Sequence, residues 1–249
     1  MFEHCILDRF GSLFVTCDAQ FGFKKSCGCR NAIYYVRKIV ERLNKGNSTV
    51  NICSLDLSKA FDKVNHFGLY IKLLEMLENW LSDCFAFVKQ YNSHSLVYSI
   101  HFGVSQGSVL SPYLFSVYID DVCKLCDLRV GSFVLLYADD ILLITSSVSE
   151  LQDLVTACEK ILLGLDMSLN AAKSCCKRIG HTHRHDKSCN NIVTLNGLQL
   201  SWVNELRYLG IFIVSTRCFR ISLDHANRSL FRAANGIFGK IGRITSEQC

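Results

Sequence analysis

Proline is nearly absent: Pro112 is the single one in 249 residues. With no Pro-rich spacer and no internal repeat, nothing marks a linker between domains. Long apolar runs are missing too. The most hydrophobic stretch, Phe133 to Thr145, is interrupted by Asp139 and Asp140, so nothing reaches the roughly 18 residues that a membrane-spanning helix requires. Met1-Phe2-Glu3-His4 carries no basic region ahead of an apolar core, so no secretory signal is visible. These absences imply an intracellular chain, nuclear or cytoplasmic, neither secreted nor held in a membrane. The 14 Cys then face a reducing milieu. Their scatter among apolar neighbours, as at Cys5, Cys53, Cys84 and Cys158, reads as small buried hydrophobes rather than a disulfide framework.

What is present is globular in proportion, 49% hydrophobic and 20% charged, in a length suited to one domain or two small ones. The net charge of +5 is unevenly spread: residues 1–50 hold 8 basic and 4 acidic groups, residues 51–166 hold 7 and 14, and residues 167–249 hold 12 and 4. An acidic centre between basic flanks suits a metal-dependent enzyme acting on a polyanion, since carboxylates hold cations while Lys and Arg meet phosphates. Uneven solvated faces would give the same counts.

Periodicity supplies the elements. Ile33, Val36, Val40 and Leu43 predict an amphipathic helix over Asn31 to Leu43, with Arg37, Lys38 and Arg42 on other faces. Val50 to Leu57 reads as a buried strand ending in a carboxylate, Phe61 to Trp80 as helical, and Leu96 to Val104 as β-like. Pro112 suits the first turn of a helix running to about Cys126. Phe133 to Tyr137 and Ile141 to Thr145 form a hairpin with Ala138-Asp139-Asp140 at its tip. Ser147 and Glu150 have capping-box spacing for a helix to about Leu163. Leu206 to Ile213 is a strand or tight hairpin, and Asp224 to Ile241 a basic amphipathic helix. Strands and helices interleave without a strict βαβ repeat, which predicts an α+β fold, a mostly antiparallel sheet backed by helices.

Three acids fall at predicted strand ends, Asp56, Asp139 and Asp140. Carboxylates at the edge of an apolar core are costly unless paired or metal-bound, and a hard cation with oxygen ligands compensates them. In two-metal phosphoryl transfer such groups bridge ions roughly 3.5–4 Å apart. An Asp-Asp pair in a hairpin is also a common polar turn, so the reading needs further motifs.

Those motifs are present. Ser54-Leu55-Asp56-Leu57-Ser58-Lys59-Ala60-Phe61-Asp62-Lys63-Val64-Asn65-His66, then Gly103-Val104-Ser105-Gln106-Gly107-Ser108-Val109-Leu110-Ser111-Pro112, then Tyr137-Ala138-Asp139-Asp140 resemble, in order and spacing, core motifs of reverse transcriptases. The likeness is to those of LINE-type, non-LTR retrotransposons. Gln20-Phe21-Gly22-Phe23, Leu169-Asn170-Ala171-Ala172-Lys173 and Leu206-Arg207-Tyr208-Leu209-Gly210 extend it over about Phe2 to Ile244.

The resemblance implies a polymerase palm with a ferredoxin-like sheet. Residues 1–50 would be residual fingers, 51–215 the catalytic palm and 216–249 the start of a thumb. It implies an RNA-directed DNA polymerase joining dNTPs to the 3′-OH of a DNA primer on an RNA template. Two Mg²⁺ ions, or Mn²⁺ as the alternative, would be ligated by Asp56 and Asp139 with Asp140 supporting. Phe61 would exclude the sugar 2′-OH, while Gln106, Gly107 and Tyr137 would line the nucleotide site. Lys173 would protonate the leaving pyrophosphate, and Tyr208, Leu209 and Gly210 would grip the primer. Arg37, Arg42, Arg228 and Arg232 are candidates for phosphate contacts.

The chain also departs from the family's pattern. Only residues 1–19 precede Gln20, the segment around Ile71 to Trp80 is short, and Ser105 stands where Pro or Arg is common. No endonuclease domain precedes and no zinc knuckle follows, which implies a palm-centred fragment. An inactive nucleic-acid-binding remnant is therefore the alternative to an enzyme, and a nucleotide cyclase on a similar scaffold is a third. Cys175, Cys176, His181, His183, His185 and Cys189 are zinc-type residues, but their spacing matches no familiar knuckle and suits a polar hairpin tip.

Overall fold

The computed structural model describes residues 2–11, 14–24, 26–45, 48–72, 85–91, 93–100, 102–104, 107–127, 131–180, 191–214 and 216–245. In chain order the elements are α1 (Phe2–Phe10), α2 (Cys29–Leu43), β1 (Val50–Leu55), α3 (His66–Lys72), β2 (Phe85–Ala86), β3 (Lys89–Gln90), β4 (Ser93–His94), β5 (Tyr98–Ser99), α4 (Ser111–Tyr118), β6 (Phe133–Tyr137), β7 (Asp140–Thr145), α5 (Val148–Gly164), β8 (Cys175–Ile179), β9 (Ile192–Val193), β10 (Gln199–Trp202), β11 (Glu205–Tyr208), β12 (Ile211–Val214), β13 (Arg220–Ser222) and α6 (Asp224–Thr245). Short 3₁₀ turns occupy Phe61–Lys63 and Asp120–Leu125.

A strand that is apolar at every position must be covered on both faces. β6 and the Ile141–Ile144 centre of β7 read that way, β1 is apolar except at Asn51 and Ser54, and both faces are covered. The main sheet has the order β6-β7-β1-β8-β10-β9, antiparallel except where β10 runs parallel to β8. Alternation divides its side chains between two cores. Cys53, Leu55, Val134, Leu136, Ile141, Leu143 and Cys176 pack with Leu114 and Phe115 of α4 and Leu151, Leu154 and Val155 of α5. Val50, Ile52, Phe133, Leu135, Leu142 and Ile144 pack with Ala32, Val36, Ile39 and Val40 of α2 and with Leu206, Tyr208 and Ile213. Those last three belong to a second sheet of order β11-β12-β13.

Local signals explain where helices start. Ser147 Oγ accepts from Glu150 N–H and the Glu150 carboxylate accepts from Ser147 N–H, completing the expected capping box of α5. Pro112 stands in the first turn of α4. That helix ends at Tyr118 rather than near Cys126, because tertiary bonds take over the next turn. Asp120 Oδ1 accepts from Cys17 N–H at 2.9 Å, and Asp121 pairs with Lys72 and Lys124, each at 2.6 Å. Leu96 to Val104 is a second departure. Among its described residues only Tyr98–Ser99 forms a strand, paired with Phe85–Ala86, and Leu96, Val97 and Tyr98 are exposed. The helical expectation over Phe61 to Trp80 resolves into the 3₁₀ turn and α3, with residues 73–80 outside the described set.

The described cysteines are free thiols. Cys53 and Cys158 are buried as expected, Cys5 is exposed, and Cys84 lies outside the described residues. Among the described residues no helix is long and apolar enough to cross a membrane.

Candidate active site

The site is built where three adjacent strands end together. Leu55 of β1 faces Ile141 of β7, so Asp56 continues the register to a position beside Asp140, and Asp140 itself pairs with Tyr137 of β6. Cross-strand partners share a face, which places Asp56, Asp140 and Tyr137 on the face that packs α2 and the second sheet. Ala138 and Asp139 are the two turn residues between them, with Ala138 in the left-handed region at φ +55°. A positive φ at the first turn position matches the twist of a two-residue hairpin. The turn puts Asp139 at the tip.

The proximity has an electrostatic consequence. Burial raises the Asp140 carboxyl above its usual range, Asp139 and Asp56 raise it further, and Arg207 opposes them. Asp56 is anchored through its backbone: its N–H donates to Ser174 Oγ at 3.0 Å, and its carbonyl accepts from Asn170 N–H at 2.8 Å. Those two bonds bring the Asn170–Ser174 loop, and with it Lys173, onto the strand end. Lys173 Nζ stands 3.7 Å from Asp56 Oδ2, an ion pair exposed enough to add little stability but close enough to serve a ligand held by Asp56.

The β11–β12 hairpin closes the same face. Leu209 and Gly210 have φ +45° and +82°, the two left-handed residues of a type I′ turn. Tyr208 is buried, and desolvation pushes its hydroxyl well up, with Asp140 as the next cause. That hydroxyl has no hydrogen-bond partner among the described residues. Tyr137 is half-buried, and its hydroxyl is raised by a hydrogen bond with the Cys29 thiol and by burial.

Opposite this hairpin, the segment Ala19–Gly22 supports the turn. Phe21 N–H donates to Leu136 O at 2.8 Å and Leu136 N–H to Ala19 O at 2.9 Å, so the segment extends the sheet beside β6. Gln20 Oε1 accepts from Gly22 N–H at 3.0 Å. A Cβ on Gly22 would lie 2.4 Å from the Ala138 nitrogen, so only glycine lets this backbone rest on the turn.

The loop before α4 is held from two sides. Gly103 N–H donates to Val64 O, Val104 N–H to Phe61 O, and His66 Nε2 contacts Gly103 O at 2.7 Å. From α1, Glu3 accepts from Ser108 Oγ at 2.8 Å and from Val109 N–H at 2.7 Å. Burial works to raise the Glu3 carboxyl, but these bonds hold it below its ordinary value. Gly107 has φ +91° with open space around it, so backbone conformation, not crowding, demands glycine there. Gln106 lies outside the described residues. Phe61, five residues after Asp56, is half-buried and stacks on Phe115 with ring centroids 4.5 Å apart.

Asp56, Asp139, Asp140, Lys173, Tyr137 and the Tyr208–Gly210 turn thus converge. Sequence reasoning left Arg207, Gly22, Glu3 and His66 without roles, although each lies in or beside a quoted motif except Glu3. The histidine-rich segment 181–190 is outside the described residues. Arg42, Arg228 and Arg232 are exposed, while Arg37 pairs with Glu41 at 2.7 Å.

The carboxylates suit a divalent cation. Asp56 Oδ2 is buried and, apart from the Lys173 ammonium at 3.7 Å, has no hydrogen-bond partner among the described residues, and Asp140 is half-buried beside two like charges; oxygen coordination to a cation relieves both. The three side chains do not present oxygens all within 4.8 Å of one another, so joint binding requires them to rotate inward.

Comparison with known proteins identifies the family and the fold. Residues 3–213 match the family described as reverse transcriptase (RNA-dependent DNA polymerase). The RNA-directed DNA polymerase from mobile element jockey of Drosophila funebris is 28% identical over 91% of this chain and 26% of its own length. The probable RNA-directed DNA polymerase from transposon BS of Drosophila melanogaster is 26% identical over 93% of this chain and 28% of its own. The chain therefore spans about a quarter of the length of these curated relatives. Apo telomerase from Candida tropicalis, truncated from its C-terminal domain, shares the fold with a TM-score of 0.57 at 15% identity, over 88% of this chain and 43% of that one.

Proposed function

The chain belongs to the reverse transcriptase (RNA-dependent DNA polymerase) family, and from that premise we propose that it carries the catalytic palm of a LINE-type element's RNA-directed DNA polymerase. The observation that carries this is the gathering of Asp56, Asp139 and Asp140 at the ends of three adjacent strands. In this reading residues 51–215 are the palm, 1–50 a remnant of the fingers and 216–249 the start of the thumb.

The family works with divalent metal ions. Here two Mg²⁺, replaceable by Mn²⁺, would be held by Asp56 and Asp139 with Asp140 in support; bound, they offset phosphate charge and lower the pKa of the primer 3′-OH. The remaining work falls to the chain's own groups. The Tyr208–Gly210 turn positions the primer end over the aspartates, and Gly107, with Gln106 beside it, leaves open backbone for the incoming dNTP. The Phe61 ring, braced on Phe115, limits space at the sugar 2′ position. Lys173 Nζ, beside Asp56, donates a proton to the departing pyrophosphate. Holding both reactants in line accounts for much of the acceleration. Exposed Arg42, Arg228 and Arg232 contact template and primer phosphates, so affinity falls with salt.

The test is primer extension by the purified chain on an RNA template with dNTPs and Mg²⁺. Asp139→Asn should reduce extension by about 10³-fold or more while leaving RNA binding intact. Undiminished extension by Asp56→Ala and Asp139→Ala would sink the assignment. Salt-sensitive RNA binding with no incorporation would leave a binding remnant in place of a polymerase.

A further inference from the structure

Away from the aspartates, a second group of ligand-type atoms comes together. Cys17, Asp120 and Cys123 each offer one atom, all within 4.8 Å of one another. Tetrahedral Zn–S bonds of about 2.3 Å separate the ligand atoms by a little under 4 Å, so small side-chain movements close the site. Asp120 and Cys123 lie three apart on the 3₁₀ turn, where residues i and i+3 eclipse. Cys17 comes from the segment that leads into Ala19–Gly22.

The surroundings are those of a thiolate site. Ala19 N–H donates to Cys17 Sγ at 3.3 Å, the kind of bond that steadies a ligating sulfur. Cys17 N–H fixes one Asp120 oxygen at 2.9 Å, which orients the carboxylate and leaves its second oxygen. Lys24 Nζ donates to Thr16 O at 3.1 Å and Cys17 O at 2.5 Å. Two thiolates and a carboxylate carry −3; a divalent cation with the Lys24 ammonium balances it. Cys123 is buried while Cys17 and Asp120 are half-buried, so the cluster is reachable from solvent, which would supply a fourth ligand.

We propose that Cys17, Asp120 and Cys123 form a zinc-binding site that is distinct from the catalytic carboxylates. Two thiolates select a borderline-soft ion over Mg²⁺ or Ca²⁺. Thiols ligate a metal only as thiolates, so loading releases protons and strengthens as pH rises. The site staples the 3₁₀ turn to the segment whose Phe21 and Ala19 bond Leu136, two residues from the Ala138-Asp139 turn. Its role is to stiffen the support beneath that turn.

The experiment titrates the reduced, chelator-stripped full chain with Co²⁺ and then with Zn²⁺. One equivalent should give sulfur-to-cobalt charge-transfer absorption and tetrahedral visible bands, both erased by Zn²⁺, and Zn²⁺ should raise the melting temperature. Cys17→Ser and Cys123→Ser should each weaken binding by at least the roughly 10–100-fold that follows loss of an outer-shell partner. Asp120→Asn, nearly isosteric and still able to accept from Cys17 N–H, should keep the thiolate bands at lower affinity, and it serves if the serine variants misfold. Replacing His181, His183 and His185 with Ala should change nothing. The proposal is overturned by absent thiolate bands, by their survival in the Cys17→Ser/Cys123→Ser double variant, by their loss in the histidine variant, or by a Cys17–Cys123 disulfide persisting in reductant.

Discussion

Replacing Gly22 with Ala probes how the catalytic turn is supported. The added Cβ would sit 2.4 Å from the Ala138 nitrogen and 3.2 Å from its Cα, where ordinary contact begins at 3.4 Å. About 1 Å of movement is needed, and both colliding groups are backbone. If the Ala19–Gly22 segment retreats, its bonds to Leu136, now 2.8 and 2.9 Å, stretch past hydrogen-bonding range, at a cost of about 1–3 kcal/mol for the pair. If the turn yields instead, Asp139 moves by a similar distance, and displacements of about 1 Å at reacting groups cost on the order of 10² in rate. Urea denaturation and primer extension on the same preparations separate these routes, and Gly22→Ala must fail in at least one. Gly164→Ala is the matched control, because nothing lies within 4 Å of its Cβ; in the last turn of α5 it should gain up to about 1 kcal/mol and leave extension unchanged. A Gly22→Ala protein with parental stability and extension would refute the account of the turn.

Three further outcomes follow. Burial lowers Lys177 to about 8, so between pH 8 and 10.5 the unfolded chain binds the extra proton and stability should rise with pH, by up to about 3 kcal/mol relative to Lys177→Met and less where the bonds from its Nζ to Val203 O and Asn204 O hold the charge; a pH-independent difference between the two urea midpoints would count against this. Arg207 opposes the upward shift of Asp140, so Arg207→Ala should move the acid limb of the extension profile to higher pH, and an unmoved limb would remove Arg207 from the site. Glu3→Gln should lose about 1–2 kcal/mol of charge-assisted bonding to Ser108 and Val109 and raise the dNTP KM. Because the Glu3 carboxyl is held below its ordinary value, that contribution is present above about pH 4.5 and fades as pH falls through the folded value; a Glu3→Gln midpoint equal to the parent at pH 7 would exclude the clamp.

Much of this was legible where the signal is local. The capping box at Ser147 and Glu150, Pro112 in the first turn of α4, and the hairpin among the two readings of Leu206 to Ile213 each rest on a few neighbouring residues. The Asp56 and Asp139-Asp140 placements were legible because apolar strands flank them on known sides. The break after Tyr118 was not, since it depends on Asp120 reaching Cys17, 103 positions away. Glu3 against Ser108 and Gly22 against Ala138 were hidden for the same reason: no periodicity or spacing names a partner so far along the chain. Leu96 to Val104 was legible only in part, as the strand Tyr98–Ser99 and the bridge at Phe102, because alternation fixes a strand's length only where a second layer covers one side.

The two-sided main sheet also shapes how this chain can change over generations. Ile52 and Cys53 are neighbours in β1, yet Ile52 aligns with Ile144 and through it Phe133, while Cys53 aligns with Leu143, Val134 and Cys176. A volume change at Ile52 is therefore compensated beneath α2, and one at Cys53 beneath α4 and α5. Among related sequences, odd and even positions of this strand should drift as two nearly independent sets, each covarying with its own helices and hardly with the residue next door.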